Sequence, residues 1–152
     1  GLITNLDKHD ESGSHWTSTF IIIDPKNKSY GAHYYDSNAI SMPHYIKKFI
    51  LNIKKQLAQK YPKIAFTITT NNKKHQMKNT ECGMFSMAYQ IRWINALLKY
   101  KQLKLKSPYE DPDFRHCIVN DKNINDKKME ENRKYLYRPN LQKHLRDRNI
   151  NL

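Results

Sequence analysis

The 152-residue chain carries 27 Lys+Arg against 14 Asp+Glu, a formal net charge of +13, with 38% hydrophobic residues and four Gly plus six Pro. That length suits one compact domain rather than two, and the apolar content supplies a core of moderate size, which excludes wholesale disorder. No stretch approaches the ~18 consecutive apolar residues of a spanning helix, and the opening GLITNLDKHDE has neither the basic nor the apolar region of a signal peptide.

Residues 16–24, WTSTFIIID, form a β-rich run whose stretch Phe20-Ile21-Ile22-Ile23 is continuously apolar, as in a strand covered on both faces. Pro25-Lys26-Asn27-Lys28 supplies turn residues. Ser29 to Tyr35 reads as a second strand, so the pair makes a β-hairpin ending at Asp36-Ser37-Asn38. Pro43 opens a helix to about Lys60, with Ile46, Phe49, Ile50, Ile53 and Leu57 at helical spacing and Lys47, Lys48, Lys54 and Lys55 on other faces. Tyr61-Pro62 stops it. Lys63 to Thr70 alternates, with Ile64, Phe66 and Ile68 on one face, as a strand does. After a polar loop from Asn71 to Thr80, the run from Cys82 to Ile91 is apolar almost all round. Continued through 92–100, it predicts a buried helix with Tyr89, Trp93 and Leu97 as a core stripe. Pro108 and Pro112 mark an irregular connection, and Asn125-Asp126 caps a last helix through about Tyr137. Residues 139–152 read as a charged tail. The order predicts a single mixed α/β (α+β) domain over 1–152, its β-sheet packed against helices.

Three positions bear on chemistry. His15 precedes a strand, Asp36 closes the next strand, and Cys82 stands at the start of the apolar helix. A free thiol, with a pKa of ~8.5, holds little thiolate at neutral pH; a helix N-terminus and a neighbouring imidazolium stabilise the anion. The imidazole in turn needs a carboxylate or amide to fix its tautomer. Gln76, six residues before Cys82, could add a side-chain amide to the backbone N–H at the nucleophile and so complete an oxyanion hole. Taken singly, Cys82 reads as packing, His15 as a surface or capping residue, Asp36 as a turn former and Gln76 as a solvated loop residue.

The ordered set is more specific. His15-Trp16, Tyr35-Asp36-Ser37 and Gln76-x5-Cys82-Gly83 resemble the SUMO-protease/adenovirus-protease group of cysteine peptidases over residues 15–90. Gly13-Ser14-His15-Trp16, His75-Gln76 with Thr80-Glu81-Cys82-Gly83, and the pattern Asp126-x2-Met129-x3-Arg133-x2-Leu136-Tyr137-Arg138 make the likeness closer to the polyprotein-processing proteases of African swine fever virus and related large DNA viruses. The resemblance implies a papain-like cysteine protease fold of the adenain type, its buried helix starting at the nucleophile. It implies Cys82 as nucleophile, His15 as general base, Asp36 as its orienting group and Gln76 as oxyanion donor. Trp16 and Gly83 would bind substrate, the indole walling a narrow channel for small residues such as Gly-Gly before the scissile bond. Members of the group carry a substantial region before the strand that starts near the histidine, whereas fourteen residues precede His15 here. The chain is therefore expected to lack an upstream N-terminal region that contributes to the groove.

The implied activity is cleavage of viral structural polyprotein or capsid precursors during virion maturation, in the host cytoplasm at the assembly site and in the virion. Two rival readings are a SUMO or ubiquitin-like deconjugating protease using the same four residues, and an inactive basic nucleic-acid-binding virion protein. For the last, Lys47, Lys48, Lys54 and Lys55 are the candidate DNA contacts; their plain alternative is a solvated helix face, and the net charge itself also fits base composition of the gene. No cofactor is expected. Two cysteines are too few for a disulfide scaffold, a reducing compartment is expected, and the histidines have no metal-ligand spacing with them. Cys117 reads as a free thiol or packing residue.

Overall fold

The computed structural model describes residues 1–102, apart from positions 9, 12, 27, 79 and 80, and residues 124–136. Cys117, the connection with Pro108 and Pro112, and the tail 139–152 lie outside the described residues. Strands β1 (Leu2–Asn5), β2 (Trp16–Asp24), β3 (Ser29–Tyr35) and β4 (Phe66–Thr70) form one sheet in the order β1-β2-β3-β4. The helices are α1 (His44–Lys60), α2 (Cys82–Gln102) and α3 (Asp126–Leu136).

β1 and β3 both pair antiparallel with β2, while β4 lies parallel to β3, so the sheet is mixed. α1 makes the crossover that a parallel β3–β4 pair needs. Strand alternation sends successive β3 side chains to opposite faces. Tyr30, Ala32 and Tyr34 join Ile46, Ile50 and Leu57 of α1 and Phe66 of β4 in one core. Tyr35, with Phe20 and Ile22 of β2, joins Met84, Phe85, Tyr89 and Trp93 of α2 and Met129 of α3 in the other. The sheet is thus sandwiched, α1 on one side and α2 with α3 on the other. Trp93, 2% exposed, stacks on Phe20 at 5.3 Å and on His33 at 4.5 Å, and Tyr35 stacks on Tyr89 at 4.4 Å. Truncating such an aromatic to Ala typically costs about 3–5 kcal/mol.

The predicted hairpin and helices occur, and several details differ. β1 was not anticipated, because LITN is short and half polar. The fourth strand starts at Phe66 rather than Lys63, whose φ of 76° is left-handed and breaks extended geometry. Phe49 faces solvent: at 100° per residue it lies about 70° from the centre of the stripe formed by Ile46, Ile50, Ile53 and Leu57. Helix α2 is not buried all round, since Ile91, Ile94 and Leu98 are exposed on the side away from Tyr89 and Trp93. Ile23, near the end of β2, is exposed, whereas Phe20, Ile21 and Ile22 are covered as expected.

Candidate active site

The hairpin brings the start of β2 beside the end of β3: Ser18 pairs with Tyr35, so His15 and Asp36 leave the sheet at the same edge. The carboxylate of Asp36 is fully buried, and its Oδ2 lies 3.0 Å from His15 Nε2. Its Oδ1 accepts the N–H of Asn38 at 2.7 Å, and the carbonyl of Asp36 accepts the N–H of Ala39 at 2.9 Å. This tight turn leaves Ala39 with a left-handed φ of 58°. Asn71, just past β4, braces the same residue from the next strand. Its Oδ1 accepts the Asp36 N–H at 2.9 Å and its Nδ2 donates to the Asp36 carbonyl at 2.7 Å. The carboxylate beside His15 is therefore held on a fixed piece of backbone.

Cys82 opens α2, where the first N–H groups of a helix have no intrahelical acceptor and favour an anion. Ser86, one turn on, donates to the carbonyl of Trp16 at 3.0 Å and ties the helix to the start of β2. His15 hydrogen-bonds the half-buried thiol, and with Nε2 occupied by Asp36 the ring offers Nδ1 for that contact. The hydrogen bond to Asp36 and then the one to Cys82 push the His15 pKa up to about 9, against the opposing effect of burial. The hydrogen bond to His15 lowers the Cys82 pKa; burial opposes it, and the backbone N–H groups of Trp16 and Gly83 add to it. Both shifts favour a thiolate beside an imidazolium.

Gln76 is buried on the loop between β4 and α2. The N–H groups of His75 and Gln76 both donate to the carbonyl of Ser37, at 2.9 and 3.0 Å, and the Ser37 hydroxyl donates to Gln76 Oε1 at 2.6 Å. Tyr35 supports the loop from beneath through a 2.9 Å hydrogen bond between its hydroxyl and His75 Nδ1. Trp16 is 40% exposed and stands against the first turn of α2, where a Cβ added to Gly83 would meet its ring at 3.9 Å.

His15, Asp36 and Cys82 thus form one hydrogen-bonded line, with Trp16 and Gly83 beside it and Gln76 on the loop leading into Cys82. Lys47, Lys48, Lys54 and Lys55 are exposed on α1, across the sheet from α2. Among the described residues no group of three His, Cys, Asp or Glu is arranged to hold a metal ion, and no helix is long and apolar enough to cross a membrane. Sequence reasoning missed Ser37 and Asn71. Ser37 sat in view, next to Asp36, but its value lies in a partner 39 residues away.

No family model matches the chain. Residues of the chain match curated relatives from African swine fever virus at 28% identity over 89 residues, 59% of this chain and 32% of theirs. The relative in a Namibian warthog isolate is named SUMO-1 cysteine protease, and that in the Badajoz strain is named cysteine protease. The chain thus matches about a third of the length of these relatives. Two crystal structures of the African swine fever virus protease superpose with TM-scores of 0.57 and 0.53 at 22% identity. They cover 90% and 82% of this chain, and 43% and 39% of those chains. The chain is thus similar in sequence to part of the African swine fever virus cysteine protease and shares the fold of that enzyme, a papain-like cysteine protease fold.

Proposed function

We propose that the chain is a cysteine endopeptidase with Cys82 as nucleophile, His15 as acid and base, Asp36 as the group that orients His15, and Gln76 as an oxyanion donor. The observation that carries this reading is the line Asp36–His15–Cys82 at the start of α2: Asp36 Oδ2 lies 3.0 Å from His15 Nε2 and the ring hydrogen-bonds the thiol, contacts that raise the His15 pKa and lower that of Cys82. Paired shifts of this kind, between a thiol at a helix start and an oriented imidazole, cluster at reactive sites.

The chemistry follows from the geometry. The Cys82 thiolate attacks the scissile carbonyl carbon, and the carbonyl oxygen takes up the negative charge. The backbone N–H of Cys82 and the Gln76 side-chain amide receive it. The imidazolium of His15 gives its proton to the departing amine, the C–N bond breaks, and a thioester remains on Cys82. His15, now neutral, takes a proton from water, whose oxygen attacks the thioester and releases the acid and the thiolate. Asp36 holds the ring through Nε2 in both steps.

The substrates we favour are viral structural polyprotein or capsid precursors, cut after small residues of the Gly-Gly-x type during virion maturation, at the assembly site in the host cytoplasm and in the virion. Support comes from the viral relatives named cysteine protease and from the indole of Trp16 beside the Cβ-less Gly83. Deconjugation of a ubiquitin-like protein is the second reading, favoured by the name SUMO-1 cysteine protease among the relatives. A peptide vinyl sulfone ending in Gly-Gly should label Cys82 at neutral pH and leave Cys82→Ala and His15→Ala unlabelled. A wild-type thiol no faster than free cysteine would overturn the peptidase reading. Cleavage of a Gly-Gly-x precursor in preference to a SUMO fusion separates the first reading from the second.

A further inference from the structure

Helix α3 meets the loop that joins Gln76 to Cys82 along one polar face. Asp126, Glu130 and Arg133, spaced i, i+4 and i+7, lie on one side of the helix. Asp126 Oδ2 accepts the Met77 N–H at 2.9 Å, Glu130 Oε1 accepts from Lys78 Nζ at 2.8 Å, and Arg133 Nη1 donates to Glu81 Oε1 at 2.8 Å. Met77 directly follows Gln76, and Glu81 directly precedes Cys82.

The three contacts carry unequal weight. Lys78 and Glu130 are 64% and 42% exposed, and such surface pairs hold little. Glu81 is 4% exposed, so its carboxylate depends on the Arg133 guanidinium for compensation. Met77 is itself exposed, so water competes for its N–H, and the Asp126 bond acts as a positional tie rather than as the rescue of a buried group. The helix making these contacts is itself fixed. Met129 is buried in the main core, and Asn125 caps the first turn by accepting the Lys128 N–H at 2.9 Å. Ser37 grips Gln76 from the turn after β3, and Asp126 grips the next peptide from α3.

From this geometry we infer that α3 is a clamp that sets the placement of Gln76 relative to Cys82, with Asp126 and Arg133 as positioning residues. The inference rests on the peptidase reading above and assigns it a further set of determinants. A clamp acts on the oxyanion-binding geometry and leaves the Cys82–His15 pair alone.

The test compares Asp126→Ala and Asp126→Asn with wild type in three measurements on the full chain: turnover of a Gly-Gly coumarin amide, alkylation of Cys82 by iodoacetamide, and hydrogen exchange of the Met77 amide. Alkylation reads the thiolate without building an oxyanion. Asp126→Ala should lower kcat about tenfold, less than the ~10²–10³ lost with an oxyanion donor itself, with KM and alkylation rate within about twofold, and should speed Met77 exchange. Asp126→Asn keeps an acceptor oxygen and should restore most of kcat. Arg133→Lys, which keeps a charge beside Glu81, should fall between wild type and Asp126→Ala. Unchanged turnover in Asp126→Ala, alkylation falling in step with kcat, or no rescue by Asn overturns the clamp while the active wild type keeps the peptidase reading. A wild type that neither alkylates fast nor turns over sinks both.

Discussion

Ser37 decides which way the Gln76 amide points. Its hydroxyl, fully buried, donates to Gln76 Oε1 at 2.6 Å, and its carbonyl accepts the N–H groups of His75 and Gln76. An amide held by its oxygen turns its NH2 group away from Ser37, and an NH2 group is what a developing oxyanion needs.

Removing the donor and removing its orienting partner should therefore differ in size. Gln76→Ala should lower kcat by about 10²-fold with little change in KM, the usual loss for one oxyanion donor. Ser37→Ala leaves the amide present but free to rotate, and should lower kcat by a smaller factor. Steady-state kinetics on both variants check this. A Ser37→Ala enzyme as impaired as Gln76→Ala would mean that Ser37 does more than orient the amide.

The pH dependence tests the thiolate–imidazolium pair. Activity should decline as pH rises through about 9, where His15 gives up its proton. Asp36→Asn removes the anion while keeping an acceptor oxygen for His15. It should retain more activity than Asp36→Ala and shift the upper limb to lower pH. For stability the sign is set by a folded pKa raised above the ordinary 6.5. The His15 contribution is complete below about 6.5 and is lost as pH rises through about 9. Rate profiles and denaturant midpoints across pH 6–10 read both effects, and an upper limb unmoved in Asp36→Asn would remove Asp36 from the proton inventory.

Asn71 should matter to both stability and site geometry. Asn71→Ala leaves the buried Asp36 N–H without its acceptor and takes one of two donors from the Asp36 carbonyl, which keeps the Ala39 N–H. The orphaned N–H costs about 1–3 kcal/mol. Urea unfolding should show this cost, and the His15 titration, followed by NMR, should move down as Asp36 loosens. A change under about 0.5 kcal/mol would show that water replaces both bonds.

Gly83 separates packing from substrate passage. A Cβ there meets the Trp16 ring at 3.9 and 4.0 Å, ordinary contact, and the position is helical. Gly83→Ala should leave the fold at least as stable, with a gain of up to about 1 kcal/mol. Turnover of Gly-Gly substrates should nevertheless fall, because the methyl group narrows the gap beside the indole. Thermal melts paired with kcat/KM decide it; full activity would place the substrate path elsewhere.

Much of the framework was legible because its signals are local. The run Trp16–Asp24, the turn residues after it and the alternation of Ser29–Tyr35 each declare themselves within a few positions, and the observed strands carry those bounds. Cys82 at a helix start and Asp36 at a strand end were readable for the same reason. What escaped depends on tertiary partners. Asn71 matters through backbone groups of Asp36, 35 residues away, and no periodicity records that. Phe49 has the right residue type at nearly the right spacing, yet a shift of less than a quarter turn puts it in solvent. Residues 126, 129 and 133 form a pattern in the sequence, but the polar partners of 126 and 133 on the loop exist only in the folded chain.

Three links in this site join segments made at different times during synthesis. His15 and Asp36 are 21 residues apart, Ser37 and Gln76 are 39 apart, and Glu81 and Arg133 are 52 apart. A nascent chain that has just displayed Cys82 outside the ribosome has no α3 to brace the loop behind it. The thiol is present on the growing polypeptide long before its surroundings are. The contact between Arg133 and Glu81, and with it the full bracing of the loop before Cys82, forms only after residue 133 has emerged.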